Sequence, residues 1–132
     1  KEINSCFRLN LTSDLPWERL VVKYFPFAQF YDYTKHLKRF VGFLEGKLPA
    51  NYHLTYSRSE ETPDSLVKSL CASGGNVAVV FRDHLPETWL GIEVIDGDDS
   101  DLRFQDGKGK IVGLVEKGKA KDDETGFVVD LT

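Results

Sequence analysis

Four aspartates fall within six residues of the stretch IDGDDSDLRF, residues 95–104: Asp96, Asp98, Asp99 and Asp101, with Arg103 just behind them. A cluster of this kind suits a calcium loop, a magnesium or manganese site, or a solvated turn. An EF-hand loop opening at Asp96 needs glycine at its sixth position and glutamate at its twelfth. Asp101 and Gly107 stand there instead, so that loop is excluded. Asp96 and Asp98 remain as a pair able to hold Mg²⁺ or Mn²⁺ through one or two carboxylates, water and a substrate phosphate. Asp-Gly-Asp-Asp is equally good turn chemistry, and a pairing of Asp98 or Asp101 with Arg103 would leave the loop satisfied within itself. Both readings stay open at this stage.

Whether such groups meet others depends on the elements that carry them. The runs FRLNLT (7–12), QFYDYT (29–34), YHLTYS (52–57) and NVAVVF (76–81) are short and rich in β-branched and aromatic residues, as strands are. They end at 12, 34, 57 and 81, in steps of 22, 23 and 24, the spacing of repeated strand-helix units. Between them lie three segments with helical signals. SDLPWERLVVKY (13–24) offers Ser13 or Asp14 as N-cap and Pro16 in the first turn. HLKRFVGFLEG (36–46) spaces Leu37, Phe40, Val41 and Leu44 along one face and stops at Gly46. TPDSLVKSLCASGG (62–75) has Thr62 as N-cap, Pro63 next, an apolar face of Leu66, Val67, Leu70 and Cys71, and a Gly74-Gly75 stop.

The rhythm breaks after residue 81. RDHLPETWLG is too short for a crossover helix, and IEVI (92–95), KIVGLV (110–115) and GFVVDL (126–131) follow as further strand candidates. The expectation is one α/β domain over 1–132, with a largely parallel sheet or partial (β/α) barrel. Its C-terminal part is β-rich, and antiparallel pairing is open there.

In such folds ligand sites form beyond the carboxyl ends of the strands. The residues just past the proposed strands are polar at nearly every one. They include Asp14, Lys35, Ser57, Arg58, Arg82, Asp96 and Asp98, while Asp32 interrupts an aromatic strand where a carboxylate needs a partner. Asp14, Asp32 and Asp96 are the candidate acid/base groups, and Asp96 with Asp98 the candidate metal ligands. Lys35, Ser57, Arg58, Arg82 and Arg103 are the candidate ligand contacts, since arginine, lysine and helix N-termini suit phosphate oxygens. Capping alone would account for Ser13, Asp14 and Thr62. The segment GKGKIVGLVEKGKAK (107–121) adds five lysines and close-approach glycines but matches no phosphate-loop fingerprint. His36, His53 and His84 sit in no nucleophile motif, and His53, mid-strand, reads as structural.

A net charge of −4 argues against wholesale binding to duplex DNA while allowing a local basic patch. Cys6 and Cys71 are too few and too far apart for a disulfide framework or a clustered metal motif, and read as free buried thiols. No apolar run approaches the roughly 18 to 20 residues of a membrane span, and the N-terminal stretch lacks the apolar core of a signal peptide. A cytoplasmic setting is expected.

SDLPWE, FYDYTK, NYHLTYS and DGDDSDLRFQDGKGKIVGL followed by KGKAK resemble bacteriophage and mobile-element proteins of the Gp88 type. The resemblance implies a phage or plasmid accessory protein with a partial (β/α) barrel. The family pattern carries an N-terminal cysteine cluster, whereas this chain has only Cys6 there, so no metal cluster is carried over. Two functions are expected in parallel. One is binding of a phosphorylated ligand, a nucleotide or nucleic acid end, with Mg²⁺- or Mn²⁺-dependent phosphoester hydrolysis as its enzymatic form. The other is inhibition of a host protein through Trp17, Trp89, Tyr24, Tyr31 and Phe27, although most of these are as readily core residues.

Overall fold

The computed structural model describes residues 6–10, 14–15, 24–99 and 102–131. Its elements in chain order are β1 (Cys6–Phe7), β2 (Gln29–Thr34), α1 (Leu37–Leu44), β3 (Tyr52–Ser57), α2 (Asp64–Ala72), β4 (Val77–Phe81), β5 (Thr88–Trp89), β6 (Ile92–Asp96), β7 (Ile111–Val115) and β8 (Val128–Val129). Short 3₁₀ turns occupy Arg103–Gln105 and Gly118–Asp122. β2 and β3 coincide with their expected ranges, and β4 starts one residue later than expected. The first strand is much shorter than the run 7–12, because pairing with β2 stops at Phe7. The helix expected over 13–24 falls mostly outside the described residues.

The helices stop where the glycines stand. Gly74 takes a left-handed φ of 92°, and Gly75 N–H donates to the Leu70 carbonyl at 2.9 Å, closing the α2 terminus. The start of α2 differs from expectation: Pro63 holds the N-cap position without a side-chain cap. Thr62 Oγ1 instead accepts the Ser59 N–H at 3.0 Å, so the hydroxyl shapes the turn ahead of the helix.

The sheet runs in the order β1-β2-β3-β4-β7-β6-β5 and is parallel except at the β5–β6 hairpin. The C-terminal part is thus β-rich, yet β6, β7 and β8 all join as parallel strands. β4 lies at the centre. β7 pairs with its full length on one side, from Val77↔Ile111 to Phe81↔Val115. β3 pairs only with its first residues, Val77 and Ala78, and β8 with its last, Val80 and Phe81. β3 and β8 therefore divide β4 between them, and the sheet forks beyond Ser57.

Two periodicities build the core. Tyr52, Leu54 and Tyr56 alternate with His53, Thr55 and Ser57 along β3, so the first three share one face. α1 brings Phe40 to that layer and α2 brings Val67, Leu70 and Cys71, joining Phe30, Val77, Val79, Phe81 and Ile111. The opposite side of β2 and β3 receives the Arg103–Gln105 turn, where the Phe104 ring packs at 5.6 Å from Tyr31. β4 is apolar throughout, with Val77, Val79 and Phe81 in the core and Ala78 and Val80 alternating to the other face.

Phe40 is fully buried, its ring 5.6 Å from Tyr56 and 6.0 Å from Phe43, and a Cβ at Gly75 would stand 2.8 Å from it. Phe40→Ala is expected to cost about 3–5 kcal/mol of stability, measured by urea unfolding.

Candidate functional site

Where β3 and β8 part, a cleft of about 450 Å³ opens at the carboxyl ends of the parallel strands. That volume is in the range of small-molecule sites. Tyr33 of β2, Ser57 of β3 and the following Arg58, Val80 of β4, and Gly97 and Asp98 after β6 line it. Arg8 just past β1, Lys117 past β7 and Phe127 ahead of β8 complete the rim. The parallel sheet is the reason they meet: β1, β2, β3, β6 and β7 each deliver residues at or just past their ends to the same edge.

Charge is unbalanced in the cleft. Among its described lining residues, Arg8, Arg58 and Lys117 stand against one carboxylate, Asp98. Arg58 is held firmly, with Nη1 donating to the Gly126 and Phe127 carbonyls at 3.0 Å each and its guanidinium 5.6 Å from the Trp89 ring centre. Its Nε is buried with no hydrogen-bond partner among the described residues. Burial pushes this guanidinium below its ordinary pKa, against the opposing pull of Asp64 and Glu60. A desolvated cation of that kind gains from an anion beside it. The Arg8 guanidinium lies 4.7 Å from the Tyr33 ring centre, and Lys35 Nζ reaches to 5.8 Å from that of Phe127 at the rim.

Asp98 accepts from the Val115 N–H at 3.1 Å and from Lys117 Nζ at 2.6 Å. Partial burial raises its pKa, but these donors outweigh that and hold it below the usual carboxylate range. Gly97 beside it has no room for a side chain. A Cβ there would meet Val112 Cγ1 at 2.6 Å, Arg103 Nη1 at 2.8 Å and Leu114 Cδ2 at 2.8 Å. The missing side chain lets the Arg103 guanidinium, 1% exposed, lie directly behind the cleft wall.

Residues 1–131 match the model of the family described as Gene product 88, GP88. The chain belongs to the GP88 family. No curated protein and no solved structure matches it. In this GP88 phage-family member the cleft thus stands as the geometry from which function is argued.

Of the residues marked out in the sequence, Ser57, Arg58 and Asp98 come together in the cleft, with Lys35 at its edge. Asp14 and Asp32 do not. Asp32 is fully buried and accepts from Asn10 N–H at 2.8 Å, from Asn10 Nδ2 at 3.0 Å and from the Tyr52 hydroxyl. That hydroxyl takes a hydrogen bond from Arg39 Nη2 at 3.2 Å, and Arg39 Nη1 donates to Asp14 at 3.0 Å. Burial first, and then the Asp32 carboxylate, push the Tyr52 phenol well above its ordinary pKa. Asp14 also accepts from Thr34 Oγ1 at 2.8 Å and from Lys35 N–H at 2.7 Å, placing its charge at the start of α1. Asp32 precedes Tyr33, and successive strand residues face opposite ways, so when Tyr33 lines the cleft Asp32 cannot.

Asp96 stops short of the cleft too. It is exposed, and its Oδ1 accepts the Asp98 N–H at 2.9 Å, which makes the Asp-Gly-Asp segment a self-bonded turn. Among the described residues no group of three or more His, Cys, Asp or Glu side chains could hold a metal ion. Arg82 points to the C-terminal tail, binding Asp130 at 2.5 Å and the Lys121 and Asp123 carbonyls at 2.9 and 2.7 Å. Arg103 pairs with Asp106 at 3.3 Å, not with Asp98, while Asp101 lies outside the described residues. Sequence reasoning passed over Arg8, Tyr33 and Phe127 as contacts. A strand ending at Phe7 puts Arg8 in the rim position that the longer run 7–12 had hidden.

A second hollow of about 410 Å³ lies at the other end of β3, lined by Phe43, His53, Asn76, Phe104 and Lys108 among others. Burial first, then the charge of Arg103, push His53 down to about 4. Cys71 is buried and pushed up to about 11 by desolvation, which makes it an unreactive thiol. Cys6, expected to be buried, is exposed on the short edge strand β1.

Gly97→Ala should destabilise the fold by about 1–3 kcal/mol in urea unfolding, since the Cβ would drive into Val112, Leu114 and Arg103. His53 resists protonation in the fold but not when unfolded. Its contribution is therefore intact above pH 6.5 and is lost as the pH falls toward about 4. An NMR titration should show its midpoint near the lower value, and His53→Gln should flatten the loss of stability across that window.

Proposed function

We propose that the cleft binds a phosphorylated ligand, a nucleotide or the end of a nucleic acid. The observation that carries this reading is the convergence of Arg8, Arg58 and Lys117 at the carboxyl ends of parallel strands, against one carboxylate. Guanidinium groups match phosphate oxygens with paired donors, and Lys117, three-quarters exposed, supplies a mobile charge. The apolar surface of Ala78, Val80 and Leu114 suits the uncharged part of the ligand. Hydrolysis through Mg²⁺ or Mn²⁺ on Asp96 and Asp98 would bring the ion up against the Lys117 ammonium on Asp98, and among the described residues no third acidic, His or Cys side chain joins the pair, so binding without cleavage is the reading this geometry favours.

A second reading, docking to a host protein, draws support from Tyr24, Phe25 and Phe27, exposed by 71%, 56% and 68% ahead of β2. Tyr31 and Trp89 do not serve it: Tyr31 is buried, and Trp89 packs edge-on to Phe81. Trp17 lies outside the described residues.

Titration calorimetry with AMP and with pyrophosphate at low salt tests the first reading. Arg58→Ala and Lys117→Ala should each weaken binding about tenfold, as expected for the loss of one charge-assisted contact. Unchanged affinity in both variants would refute it. A stoichiometric host partner that both variants retain, and that Phe27→Ala loses, would favour docking.

A further inference from the structure

A carboxylate is out of place in a pocket made only for phosphate, yet Asp98 lines the same cleft as Arg58 and Lys117. Like charges in one site repel, so Asp98 needs a role that a bare anion does not provide. Its surroundings indicate one. The Val115 N–H anchors one oxygen at 3.1 Å, and the other takes, among the described residues, the Lys117 ammonium at 2.6 Å. The Lys117 side chain is 75% exposed and that of Asp98 29%, so this is a weakly held surface pair. An anion entering the cleft competes for Lys117, whose flexible stem can swing to it. Asp98 would then hold an unsatisfied oxygen facing the ligand, and an ionised carboxylate can only accept hydrogen bonds. Neighbouring hydroxyl groups on the ligand are donors of the right kind.

We infer that the cleft takes a phosphorylated ribose unit, with its phosphate on Arg58 and Lys117 and its vicinal hydroxyls on Asp98. This rests on the phosphate-binding reading above. Lys117 passes from Asp98 to the phosphate as the ligand enters, and the hydroxyls replace it on the carboxylate. The ammonium–carboxylate pair thus keeps Asp98 satisfied while the cleft is empty. A ligand carrying phosphate alone draws Lys117 away and leaves Asp98 without a donor. A ligand with both groups satisfies both residues, and a site built to hydrogen-bond a hydroxyl discriminates against the analogue that lacks it.

Calorimetry on the full chain with AMP, 2′-deoxy-AMP, ribose 5-phosphate and pyrophosphate separates the possibilities. AMP should bind about tenfold tighter than 2′-deoxy-AMP, and ribose 5-phosphate should compete with AMP. Asp98→Asn, which keeps an oxygen for the Val115 N–H, should erase the difference between AMP and 2′-deoxy-AMP without weakening pyrophosphate. Lys117→Ala should weaken every ligand and preserve the discrimination. Equal affinity for AMP and 2′-deoxy-AMP, with pyrophosphate still bound and still sensitive to Arg58→Ala, would overturn the ribose inference and leave the phosphate reading standing. If none of the four ligands binds, both are overturned.

Discussion

The fold turns on how β4 shares one of its edges. A parallel strand must satisfy its backbone groups on both sides, and β7 does this along the whole of one. On the other, β3 serves Val77 and Ala78 and β8 serves Val80 and Phe81. Arg58 N–H extends the first ladder to the Ala78 carbonyl, and Arg82 N–H extends the second to Val129, each at 3.0 Å. The fork between them leaves room beyond Ser57, and Arg58 bridges it by donating to the Gly126 and Phe127 carbonyls. The same residue therefore ties the C-terminal tail to the sheet and presents a cation to the cleft.

A second constraint lies on the helical side. Asp32 is a buried carboxylate that would be costly unpaired, and the chain Asp32–Tyr52–Arg39–Asp14 satisfies it through side chains from β2, β3, α1 and the N-terminal segment. Asn10 is fastened to the same carboxylate through backbone and side chain. These groups hold neighbouring elements together around a charge that the sheet buries. The fold thus uses its acidic residues in two ways: Asp14 and Asp32 lock elements in place, and Asp98 faces open space beside cations.

Much of the architecture was legible from pattern. β2 and β3 match the runs QFYDYT and YHLTYS residue for residue, because both are aromatic-rich runs that favour strand, and polar residues follow at once in Lys35-His36 and Arg58-Ser59. The repeat spacing pointed to the strand ends, where a cleft does open, since parallel strands separated by helices must all point the same way. The acidic turn was harder. Asp96 and Asp98 look alike in sequence, but the first bonds its own turn and the second faces the cleft. Arg82 and Arg103 looked as available as Arg58, yet one is spent on the C-terminal tail and the other is sealed behind Gly97.

The amino-acid pattern by itself determined that the chain alternates strands and helices, that most of its sheet is parallel, and that polar groups gather at one edge. These are local properties, set by periodicity, capping residues and turn chemistry within a few positions. The tertiary structure alone decided which of those polar groups meet. Arg8, Arg58, Asp98 and Lys117 are far apart in the chain, and their convergence depends on β7 entering between β4 and β6 and on β8 returning to β4. Strand order and register arise from long-range packing, and a change of one residue in register turns each side chain to the other face. That is why four aspartates could be seen at once in the sequence, while which of the described ones faces the cleft, Asp98, could not.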